Sequence, residues 1–352
     1  MTIDFRELAG FGWSNHFQSQ LTPDELDRLA PARVLAVHRN RLEVANPALE
    51  ASVPPFSTDA GDEGHATIGD WLLIDESALL AKRLLARKSL FKRKAAGPEQ
   101  RVQLIAANID TLFVVTSCND EFNPARLERY LALALQAGVT PVIVLTKADL
   151  AVDTADYASR AAALLPDLVV ECVNAREIEA CEVLRLWCEP GQTVALVGSS
   201  GVGKSTLVNT LLREEVQATS AIREQDAHGR HTTIGRSLHR LAAGGWLLDT
   251  PGIRELQLAD SEAGVRDTFA EIAALVGECR FADCRHGSEP GCAVQAALAA
   301  GRIDAERLRR YRKLLAEDAR NSETVHERRA RERGFGRMAR RIMEEKRGRR
   351  RP

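Results

Sequence analysis

The sequence predicts a multi-domain chain built around a doubly wound α/β domain, and three observations carry that prediction. The first is Gly198-Ser199-Ser200-Gly201-Val202-Gly203-Lys204-Ser205-Thr206, set between an apolar strand, Val194–Val197, and an apolar helix start, Leu207–Leu212. The second is Pro141–Leu145, a continuous apolar run of the kind a parallel strand buried on both faces requires. It ends in Thr146-Lys147-Ala148-Asp149. The third is Trp246–Leu248, a further buried-strand candidate that delivers Asp249-Thr250-Pro251-Gly252.

The glycine-rich stretch fits G-x-x-x-x-G-K-[ST]. Gly198, Gly201 and Gly203 let the backbone curl so that successive N–H groups and the helix N-terminus face phosphate oxygens, an anion site made of main chain. Lys204 would reach the terminal phosphates and Ser205 would ligate Mg²⁺. The alternative, a glycine-rich surface turn, fits less well with a strand before it and a helix after it.

A phosphate loop specifies only a nucleoside triphosphate, so the base has to be read elsewhere. Thr146-Lys147-Ala148-Asp149 resembles the [NT]-K-x-D base-reading loop of GTPases. An aspartate there can accept from both the ring N–H and the exocyclic amino group of guanine, whereas adenine presents the wrong pattern and leaves buried polar groups unmatched. A plain polar strand-to-helix turn is the competing reading of these four residues. Asp249-Thr250-Pro251-Gly252 reads as D-x-x-G, with Asp249 holding the Mg²⁺ shell and the Gly252 amide sensing the γ-phosphate. Between the two lies the polar segment Gly229-Arg230-His231-Thr232-Thr233, where a GTPase carries its switch threonine. Asn174-Ala175, after the apolar run Leu168–Val170, stands in the place of the S-A-x loop that backs guanine, and only the alanine matches.

The order of these motifs is unusual: the base-reading loop precedes the phosphate loop by about fifty residues instead of following D-x-x-G. Chain termini tend to lie close together at a domain surface, so the same sheet can be cut at another point. The chain thus resembles the circularly permuted GTPases. Among them it resembles the bacterial ribosome small-subunit-dependent GTPase A family through Ile105–Asp110, Asn123–Tyr130, Gly229–Thr233 and the cysteine cluster described next, from about residue 32 to residue 316.

Of seven cysteines, Cys118, Cys172, Cys181 and Cys188 fall in or beside expected strands and helices, where buried reduced thiols are expected. Cys279, Cys284, His286 and Cys292 differ, packing three thiols and one imidazole into a stretch rich in Arg, Asp, Gly and Pro. Three sulfurs and a nitrogen fill a tetrahedral shell, the pattern of a structural zinc site, against the alternative of unligated thiols. Helical patterns from Val265 to Val276 and from Val294 to Leu315 flank the cluster, so one zinc ion would staple a small helical domain.

Short strand-like runs at Arg33–Val37, Leu42–Val44 and Gly69–Asp75 suggest a small barrel, and the resemblance makes it an OB-fold, which commonly binds RNA. Lys82 to Lys94 carries seven basic residues and no acidic one, read as phosphate contact or, alternatively, as a solvated face. Glu327–Pro352 has twelve Lys or Arg against four Glu, +8 on a chain of net −1. Such a tail is expected to be disordered when free and could steer the protein to RNA or serve only as a solubiliser.

The expected domains are 1–31, an N-terminal extension; 32–98, an OB-fold RNA-binding barrel; 99–258, a circularly permuted GTPase domain; 259–320, a helical zinc-binding domain; and 321–352, the basic tail. The resemblance implies a cytoplasmic, monomeric GTPase that binds the small ribosomal subunit and its rRNA, cycles between GTP and GDP with Mg²⁺, and acts in late subunit maturation. No apolar run approaches bilayer-spanning length, and Met1–Arg6 lacks a basic start followed by an apolar core, so no membrane partner is expected. A P-loop kinase or ATPase acting on a small molecule or RNA end is the runner-up. A third reading is an RNA-binding module that nucleotide merely stabilises. Ile253 stands where many GTPases place a water-orienting glutamine, which implies slow intrinsic turnover and leaves His231, beside Thr232 and Thr233, as the nearest catalytic candidate.

Overall fold

Five strands lie near the N-terminus, β1 (Ala30–Val37), β2 (Leu42–Asn46), β3 (Leu49–Val53), β4 (Trp71–Asp75) and β5 (Leu80–Leu84); β3 alternates exposed with buried or half-buried residues, whereas β4 is buried on both faces, Leu72 and Ile74 on one and Trp71 and Leu73 on the other. In the computed structural model β1 pairs antiparallel with both β2 and β4, as an OB-type barrel requires, over a core of Ala32, Val34, Leu42, Val44, Val53, Leu72 and Ile74. Residues 4–94, 102–212, 236–249, 260–287 and 289–322 are described. The boundary expected between 98 and 99 therefore lies outside them, in the link between β6 (Leu90–Lys94) and its antiparallel partner β7 (Val102–Ala107).

The central sheet adds β8 (Thr111–Ser117), β9 (Thr140–Thr146), β10 (Val169–Cys172), β11 (Thr193–Val197), β12 (Arg236–Arg240) and β13 (Trp246–Asp249) in the spatial order β10-β9-β8-β11-β13-β12. All are parallel except β12, which runs antiparallel to β13. β8 is buried along its whole length, and β9 is buried from Pro141 to Thr146, as its continuous apolar run Pro141–Leu145 requires. Successive side chains of each strand feed opposite layers: Leu112, Val114, Ile143 and Leu145 face one, Phe113, Val115, Val142 and Val144 the other. At roughly 1.5–3 kcal/mol per buried side chain, these two layers are the main source of stability. The barrel joins the same sheet, because β1 continues onto β12 through the antiparallel pairs Ala36–Ser237 and Val37–Arg236.

The C-terminal helices are Glu262–Thr268, Ala270–Val276, Ala293–Ala299 and Ala305–Ser322. Each of the two helical runs expected from the pattern is thus split. The second breaks at Gly301, which is left-handed at φ +69°, and restarts behind Asp304, whose carboxylate accepts from the Arg307 amide at 2.8 Å. These helices share a core with the sheet through Val265, Phe269, Ile272, Leu308 and Tyr311. Gly264 lies so close to the helix Pro124–Gln136 that a Cβ would stand 2.1 Å from the Ala132 carbonyl oxygen.

The first thirty residues are more than an appendage. Helices Phe5–Ala9 and Asn15–Gln18 bury Leu8 and Phe17, and the link between them buries Trp13, against Trp71, Leu73 and Leu85 of the barrel; the helix Pro23–Arg28 follows. Arg33, 1% exposed, donates from β1 to the Phe11 carbonyl (2.6 Å) and to Thr193 Oγ1 of β11 (2.7 Å), tying extension, barrel and central sheet together. Burial lowers its pKa to about 10. Of the four cysteines expected to be buried, Cys118, Cys181 and Cys188 are, but Cys172 is exposed, because it sits on β10 at the edge of the sheet.

Candidate nucleotide cleft and metal centre

Strand order places the two sequence motifs together. β9 and β10 extend to one side of β8 while β13 and β12 lie on the far side of β11, so the direction of winding reverses between β8 and β11. Ligands of open α/β sheets bind outside the carboxyl ends of the strands at such a switch point. The phosphate loop leaves β11 there and the base-reading loop leaves β9 two strands away. Thr146, Lys147, Asp149, Asn174, Ala175, Ser200, Gly201, Gly203, Lys204, Ser205 and Thr206 all line one cavity of about 270 Å³, and Arg176 stands at its rim.

Glycine is required at the phosphate loop for two separate reasons. Gly198, Gly201 and Gly203 have φ of +147°, +79° and +94°, conformations L side chains rarely adopt. A Cβ on Gly198 would also stand 2.1 Å from the Val115 carbonyl oxygen, so the loop has to press against β8. Lys204 opens the helix Lys204–Leu212, is 7% exposed, and donates to the Ser199 carbonyl. Val202 is buried beneath the loop.

The base-reading loop is pinned to the phosphate loop. Thr146 is fully buried and its hydroxyl donates to the Val202 carbonyl at 2.5 Å. The Ala148 amide donates to Val173 O at 3.4 Å, which sets Asp149 exposed at the cavity mouth. Ala175 is buried, and Thr210 Oγ1 donates to its carbonyl at 2.6 Å, so the third loop is held by the helix that follows the phosphate loop. Asn174 is occupied locally: its Nδ2 donates to Glu177 Oε1 at 2.8 Å, and its Oδ1 accepts from the Arg176 amide at 3.1 Å. Asp249 ends β13, one residue beyond the Leu248–Ala195 pair, beside the strand that feeds the phosphate loop. His231, Thr232, Thr233 and Gly252 lie outside the described residues, as does the basic tail.

Sequence reading missed Thr210 and Arg126, whose guanidinium donates to Ser199 Oγ. Arg126 had a signal, since it stands two residues after the helix-starting Asn123-Pro124 pair; Thr210 had none, being one more polar residue in a helix.

In the C-terminal module, Cys279 Sγ lies 3.5 Å from His286 Nδ1 and 3.9 Å from Cys292 Sγ, Cys292 Sγ lies 3.7 Å from His286 Nδ1, and all four ligand atoms of the cluster fall within 4.8 Å. A tetrahedral shell with bonds of about 2.3 Å to sulfur and about 2.0 Å to nitrogen has edges of about 3.5–3.8 Å, so this cluster can hold one metal ion. His286 is left-handed, at φ +59°, and its carbonyl accepts from Gln295 Nε2 at 2.5 Å and from Arg312. Burial lowers the His286 pKa, favouring the neutral imidazole a metal requires.

The basic run on the barrel is largely compensated. Arg83 pairs with Glu25 (2.7 Å), Arg87 with Asp70 (2.7 Å), Lys88 with Asp110 (2.9 Å) and Lys92 with Glu63 (2.5 Å). Lys82 is exposed.

The RsgA GTPase family profile matches residues 84–259. A small ribosomal subunit biogenesis GTPase RsgA 2 of Vibrio parahaemolyticus is 50% identical over 342 residues, covering 97% of this chain and 94% of that one. The chain belongs to the RsgA GTPase family. A small ribosomal subunit biogenesis GTPase RsgA of Mesorhizobium japonicum is 51% identical over 327 residues, covering 92% of this chain and 93% of its own. Among solved structures, YjeQ of Thermotoga maritima superposes with a TM-score of 0.59 at 23% identity, covering 82% of this chain and 98% of that one. YloQ, a circularly permuted GTPase, superposes at 0.58 and 18%, covering 84% and 96%. As an RsgA-family member this protein is a GTP hydrolase with a circularly permuted core, and the kinase and ATPase readings fall away. Among the described residues no helix is long and apolar enough to cross a membrane.

Proposed function

We propose that this GTPase binds the small ribosomal subunit and its rRNA in the cytoplasm and acts in late subunit maturation, hydrolysing GTP to GDP faster when the subunit is bound. The observation that carries the reading is likeness over nearly the whole chain to proteins named for small-subunit biogenesis. Asp149 selects guanine, backed by Lys147, Ala148, Asn174 and Ala175; Gly198 to Thr206 cradles the phosphates, with Lys204 at the terminal ones. Ser205 and Asp249 suit Mg²⁺, which neutralises charge on the transferring phosphoryl group, and Gly252 reports the γ-phosphate. Cys279, Cys284, His286 and Cys292 take one structural zinc ion, their spacing matching a tetrahedral shell. The chain acts as a monomer.

His231, with Thr232 and Thr233, supplies water positioning in place of the absent glutamine. GTP turnover measured with and without purified small subunits tests the whole reading: stimulation is expected, and equal rates would overturn it. His231→Ala is expected to keep GTP affinity and lose about 10²-fold of the stimulated rate in single-turnover assays. A variant retaining full stimulation removes His231 from the mechanism.

A further inference from the structure

One helix, Pro124–Gln136, touches the phosphate loop at its start and the C-terminal helix along its length. Asn123 caps it, accepting from the Arg126 amide at 3.2 Å, which places Arg126 in the first turn beside the switch point of the sheet. From there its guanidinium donates to Ser199 Oγ and lies 3.3 Å from Glu121 Oε2. Two residues on, Glu128 is fully buried and holds both Arg307 (2.9 Å) and Arg310 (2.6 Å) of the helix Ala305–Ser322. Arg129 pairs with Glu317 of the same helix at 2.8 Å. At the far end Gln136 Oε1 accepts from the Gly264 amide at 3.1 Å.

We propose that Arg126 is a positioning residue for the phosphate loop, and that its helix links the seating of the C-terminal helix to the conformation of that loop. Ser199 carries two cations, Arg126 on its hydroxyl and Lys204 on its carbonyl. When Lys204 turns to a nucleotide's phosphates it gives up that carbonyl, and Arg126 remains as the side-chain tether between loop and helix. Glu121 offers the guanidinium a second acceptor, so release from Ser199 leaves no unpaired charge and the contact has two available states. A helix of 13 residues moves as a stiff rod, and Arg126 and Glu128 lie within one turn of each other, so a shift imposed at the clamp reaches Ser199. Coupling of this kind is reciprocal: nucleotide binding would in turn tighten or loosen the clamp.

The proposal rests on nucleotide binding in the cleft, and its test uses the full chain without ribosomal subunits. Affinities for fluorescent GTP and GDP analogues, together with KM and kcat, are measured for wild type, Arg126→Gln, Arg126→Lys, Arg310→Gln and the Arg126→Gln/Arg310→Gln double variant. Arg126→Gln is expected to weaken both nucleotides about fivefold to tenfold and to raise KM in step, with kcat within about twofold and an unchanged melting temperature. Arg126→Lys, which keeps the charge, recovers part of the loss. Arg310→Gln costs about twofold to threefold alone and nothing further beside Arg126→Gln. Arg129→Gln, which opens the outer pair instead of the buried one, behaves the same way. Wild-type affinity in Arg126→Gln, while wild type binds GTP, overturns the positioning role alone. Additive losses overturn the link to the C-terminal helix. Failure of wild type to bind GTP would overturn the nucleotide reading as well.

Discussion

The nucleotide cleft and the cysteine–histidine module solve opposite problems. In the cleft the protein fold holds the site ready: the loops grow from buried parallel strands, Gly198 is pressed onto β8, and Thr146 and Thr210 bolt the loops to one another. In the module the order is reversed. Between Cys279 and Cys292 the described residues form turns and bends without a strand or helix, and Phe281 there is 43% exposed. With so little apolar burial of its own, that loop depends on what its four ligand atoms bind. One site is a product of the core, and the other substitutes for a core.

The strongest way to break this contrast is to deny the module the metal ion proposed for it. Metal binding in small modules supplies about 10 kcal/mol or more of apparent folding free energy, so Cys284→Ser or chelation should unfold the Cys279–Cys292 loop and loosen the helix Ala293–Ala299. GTP affinity should fall far less, by no more than the few-fold the C-terminal helix contributes. Metal content per chain together with hydrogen exchange measures this, and a metal-free chain with a protected loop would refute it. Next in size is Asp149→Asn, which swaps an acceptor for a donor. It should weaken GTP by about 10²-fold and favour xanthosine triphosphate, leaving the metal module untouched. Equal binding of ATP and GTP by wild type would undo the assignment.

How much of this was legible in the sequence follows the same divide. That the glycine-rich loop and the Thr146–Asp149 loop would share one cavity could be read because their signals are local: glycines at fixed offsets and an aspartate at the end of an apolar run. The gathering of Cys279, Cys284, His286 and Cys292 into one cluster was legible for the same reason. What escaped was made by contacts far apart in the chain. Arg33 looks like a surface arginine until Phe11 and Thr193 close around it, and Glu128 looks like the polar face of a helix until Arg307 and Arg310 arrive from about 180 residues away. The basic run Lys82–Lys94 misleads in the other direction: its charge is visible in sequence, whereas the carboxylates that answer it lie at residues 25, 63, 70 and 110. The burial of the N-terminal extension was hidden likewise, because Leu8 and Phe17 sit in helices too short to show a period and Trp13 lies in the link between them.

The claim that the cleft is preassembled is sharpened by Thr146→Val, which keeps shape and removes the hydroxyl bridging two loops. The Val202 carbonyl would lose its donor, a cost of about 1–2 kcal/mol, or roughly fivefold to thirtyfold in GTP affinity. Thr146→Asn restores a donor and should recover most of the loss. If Thr146→Val binds GTP as wild type does, the loops are held by packing alone.

The smallest expected effect concerns the N-terminal extension, which neither grows from the central sheet nor, among its described residues, carries a cluster of possible metal ligands. Glu25 is the hinge of that packing: two hydrogen bonds from Arg83, with further ones from the Thr22 amide and hydroxyl, lower its pKa to about 2 from an ordinary value near 4.5. A carboxylate with a depressed pKa in the folded state contributes stability that is fully present above its unfolded value and is lost as pH falls toward the folded one. The helix Pro23–Arg28 should therefore lose protection between about pH 4.5 and 2, and because Glu25 and Arg83 are both partly exposed the loss should be modest and reduced by salt. Hydrogen exchange of residues 22–29 follows it directly. Glu25→Gln should abolish the pH dependence of that segment and leave Leu8 and Phe17, whose side chains are buried in the aromatic cluster with Trp13 and Trp71, as protected as before. If the segment loosens in acid equally with and without the Glu25 carboxylate, the N-terminal extension is seated by its aromatic core and the ion pair is incidental.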